Sequence, residues 1–256
     1  MESKKCSQEL QGGWFKDWFN TPYYHLLYRN RDMREAQYFI DRLAAQLDFQ
    51  PGQEAMDLAC GKGRHSIYLA EKGLDVTGLD LSQENIRRAS ASAHERLRFY
   101  EHDMRRVFAE DRFDYVFNLF TSFGYFDADE DDYCVIHAIA QALKPGGRLV
   151  LDFLNPAFLL DNLQAHEEKV IDGVRFQLRR QVRDGFVVKD IAIQDGAISL
   201  AYTERVKLIN KDRFEYYFSC CGLEVEELFG DYALNPIILL GVSGCCLSSE
   251  KGLKSF

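Results

Sequence analysis

The chain has 256 residues, 46% hydrophobic and 28% charged, enough for one large α/β domain or one domain with a sizeable insertion. Its net charge of -9, with no dense run of Lys or Arg, argues against nucleic acid as the main partner, because phosphate backbones demand basic stripes. Its longest apolar run, Ile237 to Val242, is far too short to cross a bilayer, and Met1 to Leu10 lacks the apolar centre of a signal peptide.

Seven cysteines, none in Cys-x-x-Cys spacing, read as reduced thiols of a cytoplasmic protein. The adjacent pairs Cys220-Cys221 and Cys245-Cys246 suit neither a zinc knuckle nor an ordinary disulfide.

Trp14, Phe15, Trp18 and Phe19 recur at helical spacing and open the ordered chain. Thr21-Pro22 is a cap followed by proline at the first helical position. A further helix carries Ala36, Phe39, Ile40, Leu43 and Leu47 on one face and ends at Pro51-Gly52. Strands and helices then alternate. The expected strands are Glu54 to Ala59, Asp75 to Leu79, Leu97 to Tyr100, Phe113 to Leu119 and Arg148 to Phe153. Helices are expected over Arg64 to Lys72, Ser82 to Arg96 and Asp129 to Leu143, the last broken by Lys144-Pro145-Gly146-Gly147. That order implies an α/β, doubly wound, mostly parallel sheet.

From about Lys169 to Ile209 the residues alternate apolar and polar, with Asp-Gly pairs at Asp172-Gly173, Asp184-Gly185 and Asp195-Gly196. Asp-Gly supplies the positive φ angles of two-residue hairpin turns, so an antiparallel meander of about four strands is expected. Asn210 to Cys221 returns to helix, and Leu223 to Phe229 reads as a strand. The chain thus divides into N-terminal helices over 1–50, a ligand-binding core over 51–155, an inserted meander over 156–209, and a C-terminal helix and last strand or strands over 210–256.

In an open parallel sheet, ligands bind beyond the carboxyl ends of the strands. At the first such end stands Asp57-Leu58-Ala59-Cys60-Gly61-Lys62-Gly63. Gly61 and Gly63 let backbone approach a ligand, but an acid just before them would repel a pyrophosphate. It would welcome an amino group instead. Asp80-Leu81 ends the second strand, where a carboxylate suits two ribose hydroxyls; Ser82 is already a good cap for the next helix, which favours the ribose for Asp80. Asp103-Met104 follows the third strand, where a carboxylate can accept from an adenine amine. A ligand that joins a positive amino group to a ribose and an adenine without a phosphate is expected, and S-adenosylmethionine is of that type.

With these motifs the chain resembles the class I S-adenosylmethionine-dependent methyltransferases from Gly52 to Asn155, Leu143-Lys144-Pro145-Gly146-Gly147 matching the turn before their fifth strand. The resemblance implies a Rossmann-like fold and S-adenosyl-L-methionine as cofactor, held by Asp57, Ala59, Cys60, Gly61, Gly63, Asp80, Leu81, Asp103, Met104 and Asn118. Ala59 stands where many members have glycine, and its methyl fits if φ is negative. The segment Asn118 to Phe126 would line the acceptor pocket, with Ser122 and Tyr125 as contacts and Tyr24 and Tyr28 closing over it. It lacks the (Asn/Asp)-Pro-Pro-(Tyr/Phe) motif of the nucleic-acid amino-methyltransferases, which points to a small-molecule acceptor methylated on N or O.

No catalytic side chain and no metal site are assigned; His25, His65 and His102 lack metal-ligand spacing and read as turn or surface residues. The arrangement allows a homodimer through the meander. One alternative is a non-catalytic interaction module. The other is a nicotinamide-dependent oxidoreductase, whose Gly-x-Gly-x-x-Gly fingerprint fails here at Ser66.

Overall fold

A computed structural model describes residues 13–29 and 33–236. Helices α1 (Trp14–Phe19), α2 (Pro22–Leu27) and α3 (Met33–Leu47) precede the first strand. The Thr21 hydroxyl accepts the Tyr24 N–H at 3.1 Å, with Pro22 in the first turn, as its residue type dictates.

Strands β1 (Glu54–Leu58), β2 (Asp75–Asp80), β3 (Leu97–Glu101), β4 (Phe113–Asn118) and β5 (Leu143–Leu151) form a parallel sheet in the order β3-β2-β1-β4-β5. Helices α4 (Arg64–Glu71), α5 (Gln83–Ala89) and α6 (Asp129–Ala142) alternate with the strands. Burial on both faces explains the near-continuous apolar runs of β1 and β4. Met56, Leu58 and Val116 pack in one core with Val135, Ile136 and Ile139 of α6; Ala55, Val76 and Phe117 pack in another with residues of α3 and α4. Strand order reverses between β1 and β4, which opens a crevice at their carboxyl ends.

After α7 (Pro156–Asp161), strands β6 (His166–Ile171), β7 (Val174–Arg183), β8 (Phe186–Asp195) and β9 (Ile198–Lys207) form an antiparallel sheet in sequential order. Its inner face, with Val174, Phe176, Leu178, Ile191 and Ile193, packs on Trp18 and Leu27, so the meander and the N-terminal helices share a core. Asp172-Gly173 and Asp184-Gly185 form turns with both φ angles positive. The third turn is shifted by one: Asp195 pairs with Ile198, leaving Gly196-Ala197 as the central pair. Helix α8 (Lys211–Cys220) follows.

Four other expectations are corrected. Helix α5 ends at Ala89, its last buried residue, and Ser90–Ser92 form a 3-10 turn, since no apolar periodicity holds the chain helical further. Strand β5 starts at Leu143, and Pro145-Gly146-Gly147 are absorbed as a register shift opposite Phe113–Tyr115. Leu223 to Phe229 has no ladder partner among the described residues apart from a Phe229–Pro236 bridge, although Glu226 reaches Arg148 on β5 at 3.1 Å. Cys60, Cys220 and Cys221 are free, whereas Cys134 is disulfide-bonded. The segment Ile237 to Leu240, Cys245-Cys246 and Met1 to Leu10 lie outside the described residues. Among the described residues no helix is long and apolar enough to cross a membrane.

Candidate active site

A cavity of about 600 Å³ opens at the carboxyl ends of β1 to β4. Ala59, Cys60, Gly61, Asp80, Leu81, Asp103 and Met104 line one part, and Tyr24, Tyr28, Ser122 and Tyr125 line another. Asp57, Gly63 and Asn118 do not reach it. Asp57 is 1% exposed and accepts the Ser66 hydroxyl at 2.5 Å, which turns its carboxylate into the protein. Asn118 donates to the Leu58 carbonyl at 3.1 Å and ties β4 to β1.

The two glycines of the first loop have different work. At Gly61 (φ 57) a Cβ would meet nothing within 4 Å, so a ligand can approach the backbone there. At Gly63 (φ 80) a Cβ would lie 2.7 Å from the Phe99 ring; this glycine packs the loop on β3 rather than facing the cavity. Ala59 overturns the expectation of negative φ. Its φ is 61, a left-handed conformation that costs an L-residue roughly 1–2 kcal/mol.

Asp80 accepts the Gly61 N–H at 2.9 Å and the Ser82 N–H at 2.8 Å, while the Ser82 hydroxyl caps α5 through the Asn85 N–H. Burial raises the Asp80 pKa above the usual carboxylate value, and those two N–H groups oppose the rise. Asp103 is gripped by Arg105, at 2.7 Å from one of its nitrogens, and Arg105 also reaches Asp131 at 3.2 Å. Burial pushes the Asp103 carboxyl up, but the hydrogen bonds and charge of Arg105 outweigh it and hold the pKa low.

The opposite walls come from α1, α2, the loop after β4 and strand β9. The Ser122 hydroxyl donates to the Leu119 carbonyl at 2.9 Å and the Tyr125 hydroxyl to the Thr121 carbonyl at 2.6 Å, so both brace the loop they stand on. Trp14 packs on Tyr125 with centroids 5.3 Å apart, and Ser82 donates to Asn20 at 2.5 Å, which ties α1 to both halves of the cavity. His25 also lines the cavity rather than the outer surface. Burial lowers its pKa to about 4, helped by the charges of Lys62 and Arg88, so it is neutral at pH 7. His102 lines the cavity and His65 is buried at 5% exposure. Among the described residues no cluster suited to a metal ion forms.

One buried ion pair was missed, of which Glu204 lines the cavity. Glu204 on β9 accepts from Trp18 at 2.6 Å, from Tyr28 at 2.7 Å and from Lys189 at 2.7 Å. Lys189 and Glu204 are directly opposed across β8 and β9, and both point inward. The signal was present: Val187-x-Lys189-x-Ile191-x-Ile193 places a charge in an otherwise apolar register.

A family model described as Methyltransferase domain matches residues 55–147. Residues 55–147 carry a methyltransferase domain, and the chain has the fold of the S-adenosylmethionine-dependent methyltransferases. The Bacillus subtilis (strain 168) protein YqeM is 39% identical over 100 residues, a match that covers 38% of this chain and 40% of that protein. The glycine/sarcosine N-methyltransferase of Aphanothece halophytica is 29% identical over 192 residues, 68% of this chain and 69% of the relative. Among solved structures, an S-adenosylmethionine-dependent methyltransferase from Clostridium acetobutylicum ATCC 824 shares the fold with a TM-score of 0.70 at 20% identity, covering 89% of this chain and 96% of that one.

The donor half of the methyltransferase domain fits its cofactor chemically: an open approach at Gly61 lies beside the Asp80 carboxylate, in a cavity sized for a small ligand. Asp57 adds a pH dependence. Burial raises its pKa to about 6, with Asp80 adding to the rise and Ser66 opposing it. A raised folded-state pKa means stability that is present below about pH 4 and lost as pH climbs through about 6. Asp57→Asn should therefore gain on the wild type between pH 4 and 7, by on the order of 3 kcal/mol for a shift of about two units. Urea unfolding of both proteins at each pH measures the difference; parallel curves would contradict it.

Proposed function

We propose that the methyltransferase domain moves a methyl group from S-adenosylmethionine to a nitrogen or oxygen of a small molecule held between α1, α2, the loop after β4 and β9. The observation that carries this reading is a single cavity with two chemistries, carboxylates and an open glycine at one end and aromatic rings such as Trp14, Phe15, Tyr24 and Phe126 at the other. A volume near 600 Å³ suits small ligands better than a macromolecular acceptor.

In this reading Asp80 takes the ribose hydroxyls, Gly61 and the backbone at Ala59 and Cys60 take the methionyl end, and Asp103-Met104 with Leu81 take the adenine. Asp57 and Asn118 act from behind, as a buried charge and as the tie between β1 and β4. When bound, the cofactor supplies a methyl already activated on a sulfonium, transferred by in-line displacement. What remains for the chain is alignment and exclusion of water, and positioning alone can supply roughly 7–11 kcal/mol of a barrier. A proton acceptor is needed only where the nucleophile must lose a proton, and neutral His25 offers its imidazole inside the cavity.

A homodimer through the meander is a further part of this reading, to be checked by the oligomeric state in solution. The acidic balance and the absence of a membrane-crossing helix among the described residues support a cytoplasmic enzyme acting on metabolites. Incubation of metabolite extracts with isotopically labelled S-adenosylmethionine should place label on a small amine or alcohol, read by mass spectrometry. No labelled product, with no calorimetric binding of S-adenosylhomocysteine, would defeat the proposal.

A further inference from the structure

The loop after β4 holds two adjacent residues, Phe120 at φ 60 and Thr121 at φ 55, in the left-handed region, and both line the cavity. For a β-branched threonine that conformation is an outlier. Strain of this kind persists only where its surroundings over-determine it, and it concentrates at functional sites. Here the surroundings can be named. The Asp152 carboxylate, 3% exposed just past β5, accepts the Phe120 N–H at 2.9 Å. The same oxygen accepts the Tyr232 hydroxyl at 2.8 Å, and the Asp152 carbonyl accepts the Thr121 N–H at 3.2 Å. The Phe120 ring is fixed too: the Arg64 guanidinium carbon lies 4.0 Å from its centroid, and the His65 and Tyr232 ring centroids lie 4.9 and 5.4 Å away.

Asp152 itself does not line the cavity. Its carboxylate and backbone carbonyl instead hold the two strained peptide units that do, and the Tyr232 hydroxyl donates to that carboxylate. We propose that Asp152, assisted by Tyr232, is a positioning residue for methyl transfer: it holds Phe120 and Thr121 in the left-handed conformation that shapes the acceptor side of the cavity. The inference rests on the methyl-transfer reading above and adds a residue to it.

The test uses the full chain and the acceptor recovered from the label screen, with S-adenosylhomocysteine as the binding probe. Asp152→Ala should lower kcat at least tenfold, while S-adenosylhomocysteine affinity stays within about threefold. Asp152→Asn keeps an oxygen where both donors meet and should retain most of kcat. Glycine adopts positive φ without strain, so Thr121→Gly added to Asp152→Ala should restore at least fivefold of the lost kcat. A purely structural role for Asp152 would not give that rescue. Should Asp152→Ala not fold, Tyr232→Phe replaces it, with kcat expected to fall 3- to 10-fold. Faster hydrogen exchange of the peptide spanning residues 118–126 should accompany each loss. Unchanged kcat in a folded Asp152→Ala or Tyr232→Phe protein, or no rescue by Thr121→Gly, overturns the inference. A wild type that labels no acceptor overturns the methyl-transfer reading instead.

Discussion

Asp80→Ala should weaken S-adenosylhomocysteine and S-adenosylmethionine binding by at least tenfold in calorimetry. The carboxylate sits at the tip of β2 on the cavity wall, oriented by the N–H groups of Gly61 and Ser82. A hydrogen bond to a charged group contributes roughly 1.5–3 kcal/mol, and each 1.4 kcal/mol is a decade in affinity, so loss of even one contact to a ribose hydroxyl passes the tenfold mark. Alanine also strands the two N–H groups that the carboxylate satisfies. Asp80→Asn keeps the shape with one oxygen acceptor and should fall between wild type and alanine. Unchanged affinity in both variants would remove Asp80 from the ribose.

Lys189→Met should cost about 3–5 kcal/mol of stability, the range for a buried ion left without its partner. Glu204 is 5% exposed, and burial pushes its carboxyl up; the charge and hydrogen bond of Lys189, with the bonds from Trp18 and Tyr28, more than reverse that and keep it ionised. Methionine removes the cation and leaves the anion in place. The apolar double variant Lys189→Met with Glu204→Leu should recover most of the loss, because two well-packed apolar groups can replace a buried pair at little cost. Urea unfolding at pH 7 measures both. A single variant no less stable than the double would contradict the account. Because Trp18 and Tyr28 anchor α1 and α2 to Glu204, the single variant should also expose the aromatic side of the cavity to an environment-sensitive dye.

The parallel half was legible because its signals are local. Strand-forming runs with an acid near their carboxyl ends, Asp57, Asp80 and Asp103, mark the parallel strands, and three Asp-Gly pairs announce the hairpins of the meander. Where local identity left a choice, the reading slipped. Ala59 carries no sign of its own φ, Asp195-Gly196 does not say which neighbour joins the turn, and Pro145-Gly146-Gly147 ends a helix and bends a strand alike. Asp57 and Gly63 were given to the ligand because a motif names residues but not the side on which they face. Their use is set by Ser66 and Phe99, which stand 9 and 36 positions on. Asp152 holds Phe120 through a tertiary contact that no residue spacing encodes, whereas Arg105 holds Asp103 from only two positions on. Lys189 and Glu204 were the exception, readable from alternation but overlooked.

The matched span of residues 55–147 contains Gly61, Asp80 and Asp103 but neither Tyr28 nor Glu204. In the reading proposed above, the nucleoside grip lies wholly inside the matched span, whereas the acceptor wall is shared between the loop after β4 within it and the leading helices and β9 outside it. On that reading, drift in the leading helices and the hairpins would redirect the enzyme while leaving the nucleoside contacts in place, and a laboratory chimera exchanging those two stretches together should carry part of its parent's selectivity with it.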